Sequence, residues 1–165
     1  WCYIFRLYIF IYNIFTFTDA KKAEGSWGNR ATSNSNVNGV VALNNSCNGE
    51  ILIVPAVRNE DKENVWIALQ SLPFGSGRTN VGIYYKELMD ESDYGTAADF
   101  AKDWDGRYQV STLPSAYSTM IQQADGEIAF LYEEDKYKTI GGGYTIVYKN
   151  LSIEKITEGK YSLVK

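Results

Sequence analysis

The chain has 165 residues, of which 45% are apolar and 15% aromatic; this allows one domain with a core and excludes two full-sized domains. Its formal net charge of −4 argues against binding to a nucleic-acid backbone, which requires a basic face. The sequence contains no His and two Cys, which excludes the usual general base near neutral pH, the commonest zinc ligand and a disulfide-dense scaffold.

Residues 1–18, WCYIFRLYIFIYNIFTFT, differ in composition from the rest of the chain. The run is almost wholly aromatic and β-branched, which favours a strand over a helix. It is shorter than the roughly 20 apolar residues of a membrane-spanning helix and it carries Arg6. No small-residue cleavage site precedes Asp19, so no signal peptide is identifiable. We predict a buried strand or strand pair; a membrane or targeting segment and a boundary artefact are the alternatives, and residues 1–27 are treated as an atypical apolar N-terminal segment.

From residue 40 onward, short apolar runs alternate with turn formers, such as the glycine-rich turns at 75–77 and 141–143. Many short strands at near-regular spacing predict an all-β sandwich, barrel or propeller. Residues 120–123 and 127–132 flank Ala-Asp-Gly and predict a tight hairpin, while the three prolines are expected at strand ends or in loops. The predicted strands are 39–43, 50–56, 65–69, 80–88, 116–122, 128–132 and 144–149, with single helical turns at 96–102 and 152–156.

Three residues in small-residue surroundings are candidates for chemistry. Arg78 follows a Gly-Ser-Gly turn and begins an apolar, aromatic strand, and Arg30 lies likewise in Gly-Asn-Arg-Ala-Thr-Ser. An arginine at the start of a buried strand is costly unless it meets a carboxylate, which its planar fork binds bidentately. Tyr117 begins a strand in Ser-Ala-Tyr-Ser-Thr-Met. Taken singly, these are structural salt-bridge arginines and a packing tyrosine.

Taken together, the segments resemble the bacterial exo-sialidases, or neuraminidases. Ser-Ala-Tyr-Ser-Thr-Met followed by Gln-Ala-Asp-Gly-Glu-Ile-Ala-Phe-Leu-Tyr-Glu-Glu is similar to the family's nucleophile strand and the hairpin after it. Gly-Arg-Thr-Asn-Val-Gly-Ile-Tyr-Tyr around Arg78 resembles the strand of the preceding blade, and residues 44–55 resemble the start of the blade upstream of it. Arg30 and residues 33–39 resemble the family's second arginine and a degraded aspartate-box turn. The resemblance covers residues 28–165 and implies a partial six-bladed β-propeller, roughly its last three blades.

The resemblance also implies a function, a retaining glycoside hydrolase that removes terminal sialic acid from glycoconjugates. Tyr117 would be the nucleophile, because the substrate's own carboxylate would repel a carboxylate nucleophile but not a neutral phenol. Arg30 and Arg78 would grip the substrate carboxylate by charge-assisted hydrogen bonds, and Glu133 would orient a further arginine. The implied partners are sialylated glycans, with no nucleic acid, no membrane span, and no metal or other cofactor. The family implies a secreted or periplasmic location.

The chain also departs from the family pattern. Arg6 stands in Ile-Phe-Arg-Leu, not in the Phe/Tyr-Arg-Ile-Pro strand of the first arginine, and neither the acid/base Asp nor the Glu that partners the tyrosine has a match. We therefore expect the C-terminal half of a sialidase propeller, whose partners are the missing N-terminal blades and which alone has little or no turnover. Its open end would expose apolar area and favour association, unless residues 1–18 cover part of it. The alternatives are a non-catalytic carbohydrate-binding propeller module and a plain β-sandwich in which Arg78 and Tyr117 are structural.

Overall fold

Antiparallel strands form most of the molecule, arranged in three sheets, which confirms the prediction of an all-β fold. Residues 141–142 of the predicted turn at 141–143, and residues 34–36 in the middle of the predicted aspartate-box turn, lie outside the described residues. A further turn, predicted from Asn44-Asn45, also lies outside them. The computed structural model describes residues 2–8, 11–33, 37–41, 47, 49–135 and 143–164.

The N-terminal aromatic run forms the first sheet. Its antiparallel strands confirm the predicted strand pair, and the sheet includes residues on both sides of position 27 because β4 pairs with β2. Tyr12 and Ile14 point from β2 into the core, where they are 0% and 2% exposed. The strands of this sheet are β1 (Cys2–Tyr8), β2 (Ile11–Asp19), β3 (Glu24–Trp27) and β4 (Ala31–Thr32).

The second sheet is a five-stranded antiparallel sheet in the order β12-β5-β6-β7-β8. Its two central strands are buried on both faces, which requires a packed layer on each side of the sheet. Two short helices, α1 (Glu91–Tyr94) and α2 (Ala97–Ala101), connect β7 to β8. The strands of the second sheet are β5 (Ile51–Arg58), β6 (Asn64–Gly75), β7 (Thr79–Leu88), β8 (Gly106–Gln109) and β12 (Tyr161–Ser162).

The third sheet has three antiparallel strands in the order β11-β10-β9. The predicted hairpin between β9 and β10 is confirmed: Gln123 N–H donates to the Glu127 carbonyl oxygen at 2.8 Å, and Gly126 has a φ of 87°. A left-handed φ suits glycine, which explains the Asp-Gly turn signal. The elements of this region are β9 (Ser115–Gln122), β10 (Ile128–Glu134), β11 (Thr145–Leu151) and the short helix α3 (Ile153–Ile156).

The three sheets pack around two apolar cores. One core joins β2 of the first sheet to the second sheet and α2; it contains Tyr12 and Phe100, whose rings are 5.3 Å apart. The other core joins the second sheet to the third sheet and α3; it contains Ile83 and Phe130. The second sheet therefore contributes side chains to both cores.

Two prolines correct the expectation that all three would lie at strand ends or in loops. Pro55 lies inside β5 and Pro73 inside β6. β5 pairs only with residues 64–70 of β6. Pro73 lies beyond this stretch, so no hydrogen bond to β5 requires an N–H at its position. The predicted strand at 39–43 is also wrong for residues 39–41, which form no strand, and residues 42–43 lie outside the described residues.

Buried polar groups fix the ends of the second sheet. Glu87 on β7, which is 8% exposed, accepts hydrogen bonds from Arg58 Nε of β5 at 3.0 Å and from the Tyr161 hydroxyl of β12 at 2.8 Å. The guanidinium of Arg58 lowers the pKa of the Glu87 carboxyl. At the same end of β7, the ammonium of Lys86 donates to the backbone carbonyl oxygens of Asp99 at 2.8 Å and Lys102 at 2.9 Å, which anchors the helical connection.

We predict that Glu87 makes the fold sensitive to acid. Its pKa lies below the ordinary value of 4.5, so the charged carboxylate stabilises the folded chain above that pH, and this contribution is lost as the pH falls through the lowered value. The free energy of unfolding in urea should decrease between pH 6 and pH 3, and Glu87→Gln should make that decrease smaller. The exposed Glu60→Gln is the control, and an equal loss of pH dependence there would contradict the prediction.

Candidate functional site

Hydrogen bonds hold the turn between β6 and β7 against the start of β9. The N–H of Ser115 donates to the carbonyl oxygen of Arg78 at 2.7 Å, and the N–H of Asn80 donates to the carbonyl oxygen of Leu113 at 3.2 Å. The Oγ of Ser115 accepts from the N–H of Val81 at 3.1 Å, and Ser115 is fully buried. Two segments that are distant in the sequence are thereby fixed side by side.

This junction brings Arg78 to Tyr117. The Arg78 guanidinium lies over the Tyr117 ring, with 5.4 Å between Cζ and the ring centroid, a cation–π contact. Arg78 is the last residue of the turn rather than the first of the strand, because β7 begins at Thr79, and its φ is 64°. Tyr117 is 45% exposed and therefore accessible to a ligand. The plain-sandwich alternative requires Arg78 and Tyr117 to be distant from each other and buried among apolar groups. The two side chains are instead in contact, and Tyr117 is exposed.

The electrostatic surroundings of Arg78 include residues that sequence analysis did not assign. The pKa of the Arg78 guanidinium is raised, first by the neighbouring Cys47 sulfur and then by the phenols of Tyr117 and Tyr144, while desolvation opposes the shift. Arg78 is therefore a permanent cation. Cys47 is 1% exposed. Its place near Arg78 depends on tertiary packing, and no local sequence signal indicates it.

Glu133 reaches Tyr117 from the neighbouring strand. Its Oε2 accepts a hydrogen bond from the backbone N–H of Tyr117 at 3.4 Å. The carboxylate therefore contacts the main chain of the candidate nucleophile. The role implied for Glu133, orienting a further arginine, stays a prediction.

An open cavity of about 260 Å³ lies beside Tyr117 on the outward face of the third sheet. A second carboxylate, that of Glu50, borders this face by accepting a hydrogen bond from Thr119 Oγ1 at 3.1 Å. In the sequence, Glu50 is predicted only as the first residue of the strand at 50–56. The cavity is lined by Tyr117, Ser118, Thr119, Leu131, Tyr132, Glu133 and Ile146.

Arg30 lies elsewhere. It lines a cavity of about 220 Å³ together with Thr16 of β2 and Thr96 at the start of α2, and none of the residues of that cavity lines the one beside Tyr117. The predicted role of Arg30, gripping the substrate carboxylate together with Arg78, stays a prediction.

The structure also bears on two other kinds of feature, metal sites and membrane-spanning helices. Among the described residues, no group of three or more His, Cys, Asp or Glu side chains is placed to hold a metal ion. Within the same part of the chain, no helix has both the length and the apolar character needed to cross a membrane.

Comparisons with models of known protein families and with curated proteins give no match to this chain. The likeness to exo-sialidases therefore rests on the residues quoted above. Of those residues, Arg78, Tyr117 and Glu133 lie within one site.

We predict that Ser115 supports the site. Ser115→Ala leaves the buried N–H of Val81 without an acceptor, which should lower the free energy of unfolding in urea by about 1–2 kcal/mol. The chemical shifts of the Tyr117 ring protons should also change, since the turn that carries Arg78 loses one of its attachments. Thr112→Ala, at an exposed position in the preceding loop, is the control and should alter neither quantity. Unchanged stability of the Ser115 variant would contradict this role.

Proposed function

We propose that the chain recognises terminal sialic acid through Arg78 and carries part of an exo-sialidase site, with Tyr117 as the nucleophile. The observation that supports this most directly is the contact of the Arg78 guanidinium with the Tyr117 ring. In the corresponding proposal for the fold, the antiparallel sheets are roughly the last three blades of a six-bladed β-propeller.

The chemistry of sialic acid supports this pairing of residues. The sugar carries a carboxylate on its anomeric carbon, so an arginine that holds the carboxylate also holds the carbon that reacts. A carboxylate held by Arg78 would lie near Tyr117, because the Arg78 Cζ is 5.4 Å from the centroid of the Tyr117 ring. The phenol would lose its proton and bond to the anomeric carbon as the glycosidic bond breaks, and the departing alcohol oxygen would take up a proton. Water would then hydrolyse the tyrosyl intermediate with net retention.

One observation favours a binding module as the second candidate function. Glu133 contacts Tyr117 through its main chain, and no carboxylate of the described residues hydrogen-bonds to the phenol oxygen. A phenol without a base beside it is a weak nucleophile near neutral pH. The alternative is therefore a carbohydrate-binding protein that grips the sialic acid carboxylate and does not cleave the glycosidic bond.

We predict that binding depends on the Arg78 charge and on the ligand's carboxylate. Saturation-transfer NMR with N-acetylneuraminic acid should detect binding to the chain, and Arg78→Gln should weaken it about tenfold or more, the value of a charge-assisted hydrogen bond. The methyl ester of the sugar, which lacks the negative charge, should bind as weakly to the unmodified chain. Arg107→Gln makes the same change in net charge at a residue that packs on Phe74, and should leave binding unchanged. Equal binding of the acid and the ester would contradict the proposal.

We predict that the isolated chain releases little or no fluorophore from a fluorogenic sialoside. Among the residues that the structure describes, no carboxylate hydrogen-bonds to the Tyr117 phenol oxygen, so the nucleophile has no base beside it. Tyr117→Phe separates the two candidate functions. Unchanged sialic acid binding by this variant, with no turnover by either protein, favours the binding module. Rapid hydrolysis that Tyr117→Phe abolishes would establish catalysis and contradict the expected low turnover.

A further inference from the structure

A second open cavity of the third sheet is lined mainly by polar residues. Residues 109–113, at and after the end of β8, form one side, and Tyr132, Glu134 and Lys149 of the third sheet form the other. We call this cavity the polar groove. Its volume of about 450 Å³ lies within the roughly 300–1,000 Å³ of most ligand sites.

Glu134 is a buried carboxylate within the polar groove. It is 5% exposed and lies two residues after Tyr132 on β10, so both side chains are on the same face of the strand. Burial raises the pKa of the Tyr132 phenol to about 12, together with the charge of Glu134 and a hydrogen bond to it, so the phenol is a donor near neutral pH. Among the described residues, no lysine or arginine forms an ion pair with Glu134. A carboxylate accepts about four hydrogen bonds, so a ligand that donates hydrogen bonds would stabilise this buried charge.

Lys149 offers the opposite hydrogen-bonding character farther along the groove. In the strand register, Lys149 lies opposite Phe130 and Thr145 lies opposite Glu134. The main-chain positions of Glu134 and Lys149 are therefore four residues apart along the sheet, roughly 14 Å. An ammonium group donates hydrogen bonds and does not accept them, whereas an ionised carboxylate only accepts them. The groove thus presents an acceptor at one position and a donor at another.

Hydrogen bonds fix the loop that forms the other side of the groove. The N–H groups of Val110 and Ser111 both donate to the carbonyl oxygen of Val81, at 2.9 and 3.1 Å. The Oγ of Ser111 accepts from the N–H of Leu113 at 3.1 Å, which leaves the hydroxyl proton of Ser111 for a ligand. A site whose backbone is already held in place loses less conformational entropy when a ligand binds.

We propose that the polar groove binds the neutral sugar units of a glycan, at a site that does not include Arg78. Sugar hydroxyls both donate and accept hydrogen bonds, so one glycan can donate to Glu134 and accept from Lys149. A cationic ligand would meet repulsion from Lys149, and an anionic ligand would meet repulsion from Glu134. The side chains of Val110 and Leu113 offer apolar surface to the C–H groups of a sugar ring. The proposal goes beyond the recognition of sialic acid, because a neutral sugar has no carboxylate for Arg78.

The experiment titrates the whole isotope-labelled chain with maltose, cellobiose and lactose, and NMR follows the backbone amide signals. Binding should shift the signals of residues 109–113. Glu134→Gln keeps the shape of the side chain and removes its charge, so it should weaken binding about tenfold or more. Glu60→Gln makes the same chemical change at an exposed position outside the groove and should leave the affinity unchanged.

Because Glu134 is buried, Lys149→Met provides a second test at an exposed position, where substitution leaves the core intact. The loss of its donors should weaken binding about threefold or more, whereas Lys21→Met, in the turn after β2, should leave the affinity unchanged. If none of the three disaccharides shifts the signals of residues 109–113 at tens of millimolar, the proposal is overturned and the proposed role of Arg78 is unaffected. Binding of spermidine in place of the sugars would show that the groove selects a cation and would overturn the proposal as well.

Discussion

The candidate site depends on the few hydrogen bonds that join the β6–β7 turn to the beginning of β9. Two of them meet at Ser115, whose N–H and Oγ bond to the backbone on either side of Thr79. A backbone junction of this kind fixes main-chain positions whatever side chains stand beside it. The contact of Arg78 with Tyr117 is thus held by the scaffold rather than by the two side chains alone, which is how a binding group is preorganised.

The layered packing buries the strands that carry the junction. The second sheet has a core on each of its faces, and its central strands are buried along most of their length. Arg58, Glu87 and Tyr161 tie three of its strands together by hydrogen bonds. The site lies at the opposite end of β7 from this cluster, so a firmly packed strand separates the polar network that stabilises the sheet from the residues proposed to bind sugar.

Short sequence patterns predict the strands and helices of this fold better than they predict which residues come into contact in the folded chain. The Asp-Gly turn and the helical turn near Thr96 follow from capping and turn chemistry that a few consecutive residues contain. β12 has two residues, and its pairing with Arg58 spans most of the chain, so no local pattern indicates it. The same holds for the site. Arg78 and Tyr117 come together as the resemblance implies, whereas the positions of Arg30, Cys47 and Glu50 follow from the packing of separate elements.

The backbone of Arg78 has a further consequence. A φ of 64° is a conformation that glycine adopts freely and arginine adopts at a cost of roughly 1 kcal/mol. The turn itself would accommodate glycine more easily, so what arginine adds at this position is the contact of its guanidinium with the Tyr117 ring. A glycine at position 78 would relax the backbone and remove the positive charge beside Tyr117. Robustness and ligand recognition therefore make opposing demands on this one residue.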